Sequence, residues 1–155
     1  MRLKLASLAV LLVPAALVSA CAQPEATSTP CHSVVTTDPM PAWADGGFSE
    51  GARVPHVFGA DDRIVAVPFA GTLVATGQSA PRNKVLLVAR ESIQQVTPVT
   101  IDAMLDGQGD VVHREREIGP GSLDMPTAGC WRMTLTWGDQ SDVIELEYVD
   151  EPQAG

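Results

Sequence analysis

Two kinds of hydrophobic pattern divide the chain. The first is one long block: after Met1-Arg-Leu-Lys, which carries two positive charges, residues 5–20 are apolar apart from Ser7, Pro14 and Ser19. A block of about 16 residues falls short of the ~20 that a helix needs to cross a bilayer core, and Pro14 weakens it further as a permanent span. A basic start followed by such a block is the pattern of an export signal over residues 1–20 that is removed after use.

The second kind consists of short stretches rich in β-branched residues or alternating in polarity, at 34–37, 63–69, 72–75, 84–89, 99–105, 111–117, 131–137 and 143–149. Each is bounded by Gly, Pro, Asp or Asn, and the one candidate for a helical turn is 90–95. About seven or eight short strands without a sustained helical period predict an all-β domain, either a sandwich or a barrel. Alternation is clearest at the end of the chain. Trp131, Met133, Leu135 and Trp137 share one face while Arg132, Thr134 and Thr136 share the other. Ile144, Leu146 and Tyr148 then oppose Glu145 and Glu147, which predicts a terminal antiparallel hairpin with one face on the core. By contrast, residues 113–117, His-Arg-Glu-Arg-Glu, are polar on both faces. Such a segment suits a sheet edge, where charge blocks pairing with other chains.

Between the two patterns lie residues 22–30, Ala-Gln-Pro-Glu-Ala-Thr-Ser-Thr-Pro, too small and polar to bury a core. The organisation expected is therefore a signal at 1–20, a flexible tether at 21–30, a β domain at 31–150 and a disordered tail at 151–155. Loss of residues 1–20 removes Arg2 and Lys4 and no acid, moving the formal net charge from -9 to about -11. That balance argues against nucleic acid and anionic lipid headgroups as partners, because both are met by basic patches.

The junction of signal and tether carries its own chemistry. Leu17-Val18-Ser19-Ala20-Cys21 resembles the lipobox of bacterial lipoproteins, in which small residues let a peptidase approach and the cysteine thiol takes a diacylglyceryl group. Two acyl chains give a stable hold where one, at roughly 0.8 kcal/mol per buried methylene, gives only a marginal one. Cys21 is thus the expected lipidation site, on the extracytoplasmic face of a cell membrane. An ordinary signal cut after Ala20 is the alternative, and it exports the domain equally well.

Other candidate chemistry is sparse. His32, His56 and His113 lie far apart in sequence and form no ligand-spaced pair, so no metal is expected. Asp106-Gly-Gln-Gly-Asp110 with Glu117 imitates the oxygen spacing of a calcium loop, but Val111 stands where that loop needs glycine, and Asp106-Gly107 reads better as a hairpin turn. Ser79, Ser92, Ser122 and Ser141 lie in no nucleophile motif, and the carboxylate pairs Asp61-Asp62 and Glu145/Glu147 read as solvated. The domain is accordingly expected to be non-catalytic and to need no cofactor. Trp43 and Phe48, in a loop-like region at 38–52, either form a contact surface for an envelope protein partner or simply cover the core. A small-ligand or metal-binding lipoprotein is the competing expectation.

Gly129-Cys130-Trp131 and the strand, turn and strand that follow resemble the closing motif of a group of uncharacterised exported bacterial proteins and lipoproteins. A cysteine near the start of the mature domain, here Cys31, a strand ending in Pro and Gly, here residues 64–71, and a Lys-led strand at 84–88 extend the likeness over most of 31–149. Leu87 and Val88 depart from it, standing where relatives would carry tryptophan. The resemblance implies an immunoglobulin-like antiparallel β-sandwich and no established activity. With Cys21 taken by lipid, Cys31 and Cys130 remain as one pair in an oxidising compartment, which predicts a disulfide between them. Since Cys130 falls on the face opposite Trp131, the bridge is expected outside the core, stapling the opening strand onto the penultimate one.

Overall fold

Alternation and turn chemistry place the strands where apolar residues recur between Gly, Asp and Pro. The computed structural model describes residues 31–49, 51–76, 83–90 and 97–151, and its elements there are all β, without a helix. In chain order they are β1 (Val57–Phe58), β2 (Ile64–Pro68), β3 (Leu73–Val74), β4 (Lys84–Ala89), β5 (Pro98–Leu105), β6 (Val112–Glu117), β7 (Gly119–Ser122), β8 (Gly129–Trp137) and β9 (Gln140–Val149). They form a four-stranded sheet in the order β1-β2-β4-β7 and a five-stranded sheet in the order β3-β9-β8-β5-β6. The expected signal, Cys21, the tether, most of the turn at 90–95 and all but the first residue of the tail lie outside the described residues.

The all-β expectation holds, with three differences of detail. The count among the described residues is nine, and β3 runs parallel to β9 while every other pair is antiparallel. The opening stretch 34–37 is not a strand; only Thr36 makes a bridge, to His56. Finally, β7 is Gly-Pro-Gly-Ser, whose one apolar side chain is the Pro120 ring, and it pairs with β4. Pro120 is tolerated because β7 is an edge strand. Directly after β6, the chain leaves one sheet for the other through Ile118 and Gly119, the latter at a φ of 123° that favours glycine.

One core lies between the sheets. The five-stranded sheet contributes Ile101, Trp131, Met133, Leu135, Ile144 and Tyr148, and the four-stranded sheet contributes Ile64, Ala66, Val85 and Leu87, all buried in one cluster. Each large aliphatic side chain removed from water this completely adds roughly 1.5–3 kcal/mol. The β8–β9 ladder sets Trp131 opposite Leu146 and Met133 opposite Ile144, the face assignment predicted from alternation. Its turn is two residues long, with Gly138 at φ 53°. As expected, β6 is an edge strand. Arg116 is its inward charge: Nη2 donates to the carbonyls of Val85 (3.1 Å) and Gly119 (2.5 Å), linking the two sheets at their open side. Burial of the guanidinium pushes its pKa down.

The middle of the four-stranded sheet, β2 and most of β4, is buried on both sides, whereas Pro120 and Ser122 of β7 are exposed. Residue by residue, β2 is inaccessible, including Val65 and Val67, which face away from the core cluster. Register places Phe58, Val65 and Val88 side by side on that outer face. The segment 38–49 lies over it: Trp43 meets Phe58 edge-on at 5.8 Å, Arg90 stacks 4.7 Å above Trp43, and a side chain at Gly46 would collide with Leu86 and Val88. A backbone that must come this close, at φ 57°, is a place for glycine.

Candidate functional site

Polar groups concentrate on the outer face of the five-stranded sheet, where β8 and β9 present Cys130, Arg132, Glu145 and Glu147 in register. Cys130 is disulfide-bonded to Cys31 across a sequence separation of 99, with Cα atoms 5.3 Å apart, well within disulfide reach. The bond lies on the outer face, as the alternation predicted, and it holds the opening segment against β8 and β9. Three contacts follow from that placement. The His32 amide donates to Glu145 Oε2 (2.6 Å), the Glu145 amide donates to Ser33 Oγ (3.1 Å), and His32 Nδ1 lies 3.3 Å from the same Oε2.

Glu145 is consequently buried, although its strand position alternates outward. Arg132, its cross-strand partner, donates from Nη1 to Oε1 at 2.9 Å. Burial raises the carboxyl's pKa, but the His32 amide and the Arg132 guanidinium outweigh it, so the net shift is downward and the group is an anion. Sulfurs of Cys31 and Cys130 and a carboxylate oxygen of Glu145 all lie within 4.8 Å of one another. A hollow of about 280 Å³ adjoins them, lined by His32, Asp106, Gln108, Arg132 and Glu145 among others. On the other side of the bond a groove of about 460 Å³ runs past Ser33, Val35, Leu73 and Val149.

The remaining candidates from the sequence are dispersed. Trp43 and Phe48 are both half-buried; Trp43 packs on Phe58, and Phe48 lines a hollow of about 470 Å³ with Met40, Asp45 and Ala52. His56 is buried beside Phe58, its Nδ1 2.8 Å from the Val54 carbonyl. His113 is exposed, with Nδ1 2.7 Å from Asp102 Oδ1. Asp106 and Gly107 both take left-handed φ values, 51° and 67°, the signature of a tight turn. Glu117 lies at the far end of β6, five residues or ~16 Å beyond Val112, so the calcium spacing does not close into a loop. Ser122 and Ser141 are exposed, and Ser79 and Ser92 lie outside the described residues.

Two buried polar residues had no signal in the sequence. Asp142 accepts from the amides of Asp61 (3.0 Å), Arg63 (2.9 Å), Ile64 (3.3 Å) and Val143 (2.7 Å), fastening the β1–β2 loop to the start of β9. Asn83 imitates a strand residue: its side chain accepts from the Val74 amide and donates to the Val74 carbonyl, both at 2.8 Å. Asp142 is structural, since its partners are backbone amides that would otherwise be buried unpaired, and Asn83, which also donates from its backbone and side-chain nitrogens to Asp124 Oδ1 (3.1 and 2.7 Å), ties β3 to the loop after β7. No protein-family model, curated protein or solved structure matches the chain.

Proposed function

We propose that this chain is a bacterial envelope lipoprotein, held on the outer face of a membrane by acyl chains on Cys21, whose β domain is a non-catalytic interaction module. The observation that carries the reading is the Cys31–Cys130 bond. A disulfide fits an exported chain, and with this pair joined the remaining cysteine is Cys21, the one preceded by Leu-Val-Ser-Ala. In this reading the domain is an immunoglobulin-like sandwich of the uncharacterised exported group that shares the Gly-Cys-Trp motif. The two-sheet packing supports it, while the bridge differs from that of antibody domains, which runs through the core.

A contact role is supported by Val34 and Val35, adjacent apolar residues that remain 77% and 58% exposed in the segment next to the tether. Trp43 and Phe48 contribute what remains of their exposed surface. The test is mass spectrometry of the native N-terminus, expected to show diacylglyceryl-Cys21, together with fractionation of Cys21→Ala, expected to leave the membrane or stay uncut. An unmodified Cys21 at the mature terminus would refute the anchor. For the partner, crosslinking in the native envelope should recover a protein that is lost with Val34→Asp/Val35→Asp and retained with Thr136→Asp; equal recovery from all three would refute the surface.

A further inference from the structure

Edge strands decide what a sandwich can pair with, and β9 has an edge that its neighbour covers only in part. On one side β8 pairs with it along nearly its whole length, whereas on the other β3 meets it only at Tyr148 and Val149. Backbone groups of odd-numbered β9 residues face that second side: the Val143 and Val149 carbonyls accept from the amides of Ala60 and Ala75, and the Glu145 amide donates to Ser33 Oγ. Alternation turns the Glu145 carbonyl and the Glu147 amide the same way, into the interval between Ser33 and Leu73, where no described strand pairs with them. The groove of about 460 Å³ lies over this interval. Its volume is that of a ligand cleft, ~300–1,000 Å³. Val57, Leu73 and Leu146 are buried along it, while Val35 and Val149 stand exposed at its margins. Glu147 is an exposed carboxylate on the same groove, with no ion-pair partner among the described residues.

We propose that this groove receives an extended, basic segment of a partner protein as an added strand beside β9. The inference rests on the interaction-module reading above and names what that module binds; it does not depend on the lipid anchor. An edge strand protects an edge only over its own length, and the two residues of β3 leave a template for main-chain hydrogen bonds beside them. One residue of the incoming segment lies opposite Leu146. In either strand direction its side chain falls on the inner side, with Val57 and Leu73, and its two neighbours fall on the outer side beside Glu145 and Glu147. The inner position suits a β-branched aliphatic residue. Glu145 is already held by Arg132 and the His32 amide, but Glu147 is free to meet a cation across the new pair. The pattern recognised is therefore an aliphatic residue flanked by Lys or Arg. A formal net charge of -9 favours the same partner over an acidic one. A lipid surface fits the groove less well, because acyl chains satisfy neither a free carboxylate nor a row of main-chain donors and acceptors.

The test takes the full, oxidised, isotope-labelled chain and a blocked peptide, acetyl-Ser-Lys-Val-Lys-Ser-amide, which presents the pattern in both strand directions. In the free protein the Glu147 amide is expected to exchange with solvent faster than the Glu145 amide, which Ser33 holds. As peptide is added, the Glu147 and Leu73 resonances should shift and the Glu147 amide should become protected. Methylating the valine and the following lysine nitrogens removes the ladder donor in either direction and should weaken binding about tenfold. A peptide with Glu in place of both Lys should bind a few-fold less tightly, and Glu147→Lys, a change at an exposed position, should invert that order. Shifts that spare Glu147 and Leu73, equal binding of the methylated peptide, or an order of affinities that Glu147→Lys leaves unchanged would each overturn the proposal. So would a response of Val34 and Val35 to phosphatidylcholine vesicles with none to the peptide. If crosslinking in the envelope recovers a partner that Glu147→Lys still retains in full, the groove assignment falls and the interaction module stands.

Discussion

The two sheets share a core, yet their outer faces are built on opposite principles. On the five-stranded sheet, β8 and β9 alternate apolar with polar residues, and most of the polar side stands in water: Arg132 and Thr136 are exposed while Trp131, Met133 and Leu135 are buried. On the four-stranded sheet, β2 has no polar side at all, because 38–49 covers what would otherwise be its solvent face. A sheet covered on both faces reads as an apolar run, and one covered on a single face reads as alternation. Thus the same fold element leaves two different traces in sequence, according to what lies above it.

Alanine substitution gives the largest effects and the sharpest form of that contrast. Leu135→Ala should lose about 2–5 kcal/mol and Thr136→Ala less than about 0.5 kcal/mol, since only the first vacates packed volume. In β2 the asymmetry should nearly vanish: Ile64→Ala is expected to lose about 2–5 kcal/mol and Val65→Ala still about 1.5–3 kcal/mol. Denaturant unfolding of the oxidised proteins, followed by tryptophan fluorescence, measures all four. A Val65→Ala variant as mild as Thr136→Ala would mean that 38–49 does not seal the outer face.

That asymmetry also explains what was legible from the residues alone. Trp131, Met133 and Leu135 alternate with Arg132 and Thr134, so hairpin and facing followed from spacing, and with the facing came the outer position of Cys130. The polar run in β6 marked an edge for an equally local reason. Long-range causes left no such trace. β7 is a strand because β4 offers it backbone partners, and Gly-Pro-Gly-Ser carries no record of this. Glu145 looks solvated because what buries it, the segment at Cys31 to Ser33, is 112 or more residues away in sequence. For Asp142 the hidden cause is the β1–β2 loop, about 80 residues earlier. The cysteine pairing was accessible by counting, whereas its clustering with Glu145 and His32 required the register of β8 on β9.

Next in size is the staple that fixes the opening segment over Glu145 on the open face. Replacing Cys31 and Cys130 together by serine should lose about 2–4 kcal/mol, since the bond closes a loop of nearly a hundred residues in the unfolded chain. The loss should be accompanied by faster amide exchange at Glu145, whose N–H is held by Ser33. Unchanged exchange there would show that the opening segment stays docked without the bond.

Smaller again, and confined to the junction between the sheets, is the effect of Asp142. Asp142→Asn keeps one acceptor oxygen and should lose about 1–3 kcal/mol as buried amides go unpaired. Gly59→Ala should act through the same group, because a Cβ at Gly59 would overlap the Asp142 carboxylate. Both variants disturb one carboxylate, so the double variant is expected to lose less than the sum of the two. Full additivity in a double-mutant cycle would show that the two residues act independently.

The smallest effect tests the open face by its sign. His113 on β6 lies beside Asp102 of β5, Nδ1 to Oδ1 at 2.7 Å, with Glu115 Oε1 3.5 Å from Nε2. The hydrogen bond to Asp102, then that to Glu115, raises its pKa above the ordinary 6.5, against a smaller opposing effect of desolvation. The folded state therefore favours the imidazolium. Its contribution to stability is complete below about pH 6.5, the unfolded value, and is lost as pH rises through the folded one. On an exposed face that contribution is slight and should fade in molar salt, where charges are screened within about 3 Å. NMR titration of the His113 ring is the direct measurement, with Asp102→Asn expected to bring the pKa back toward 6.5. A wild-type value at or below 6.5, or one that Asp102→Asn leaves unmoved, would show that Asp102 does not hold the imidazolium on this face.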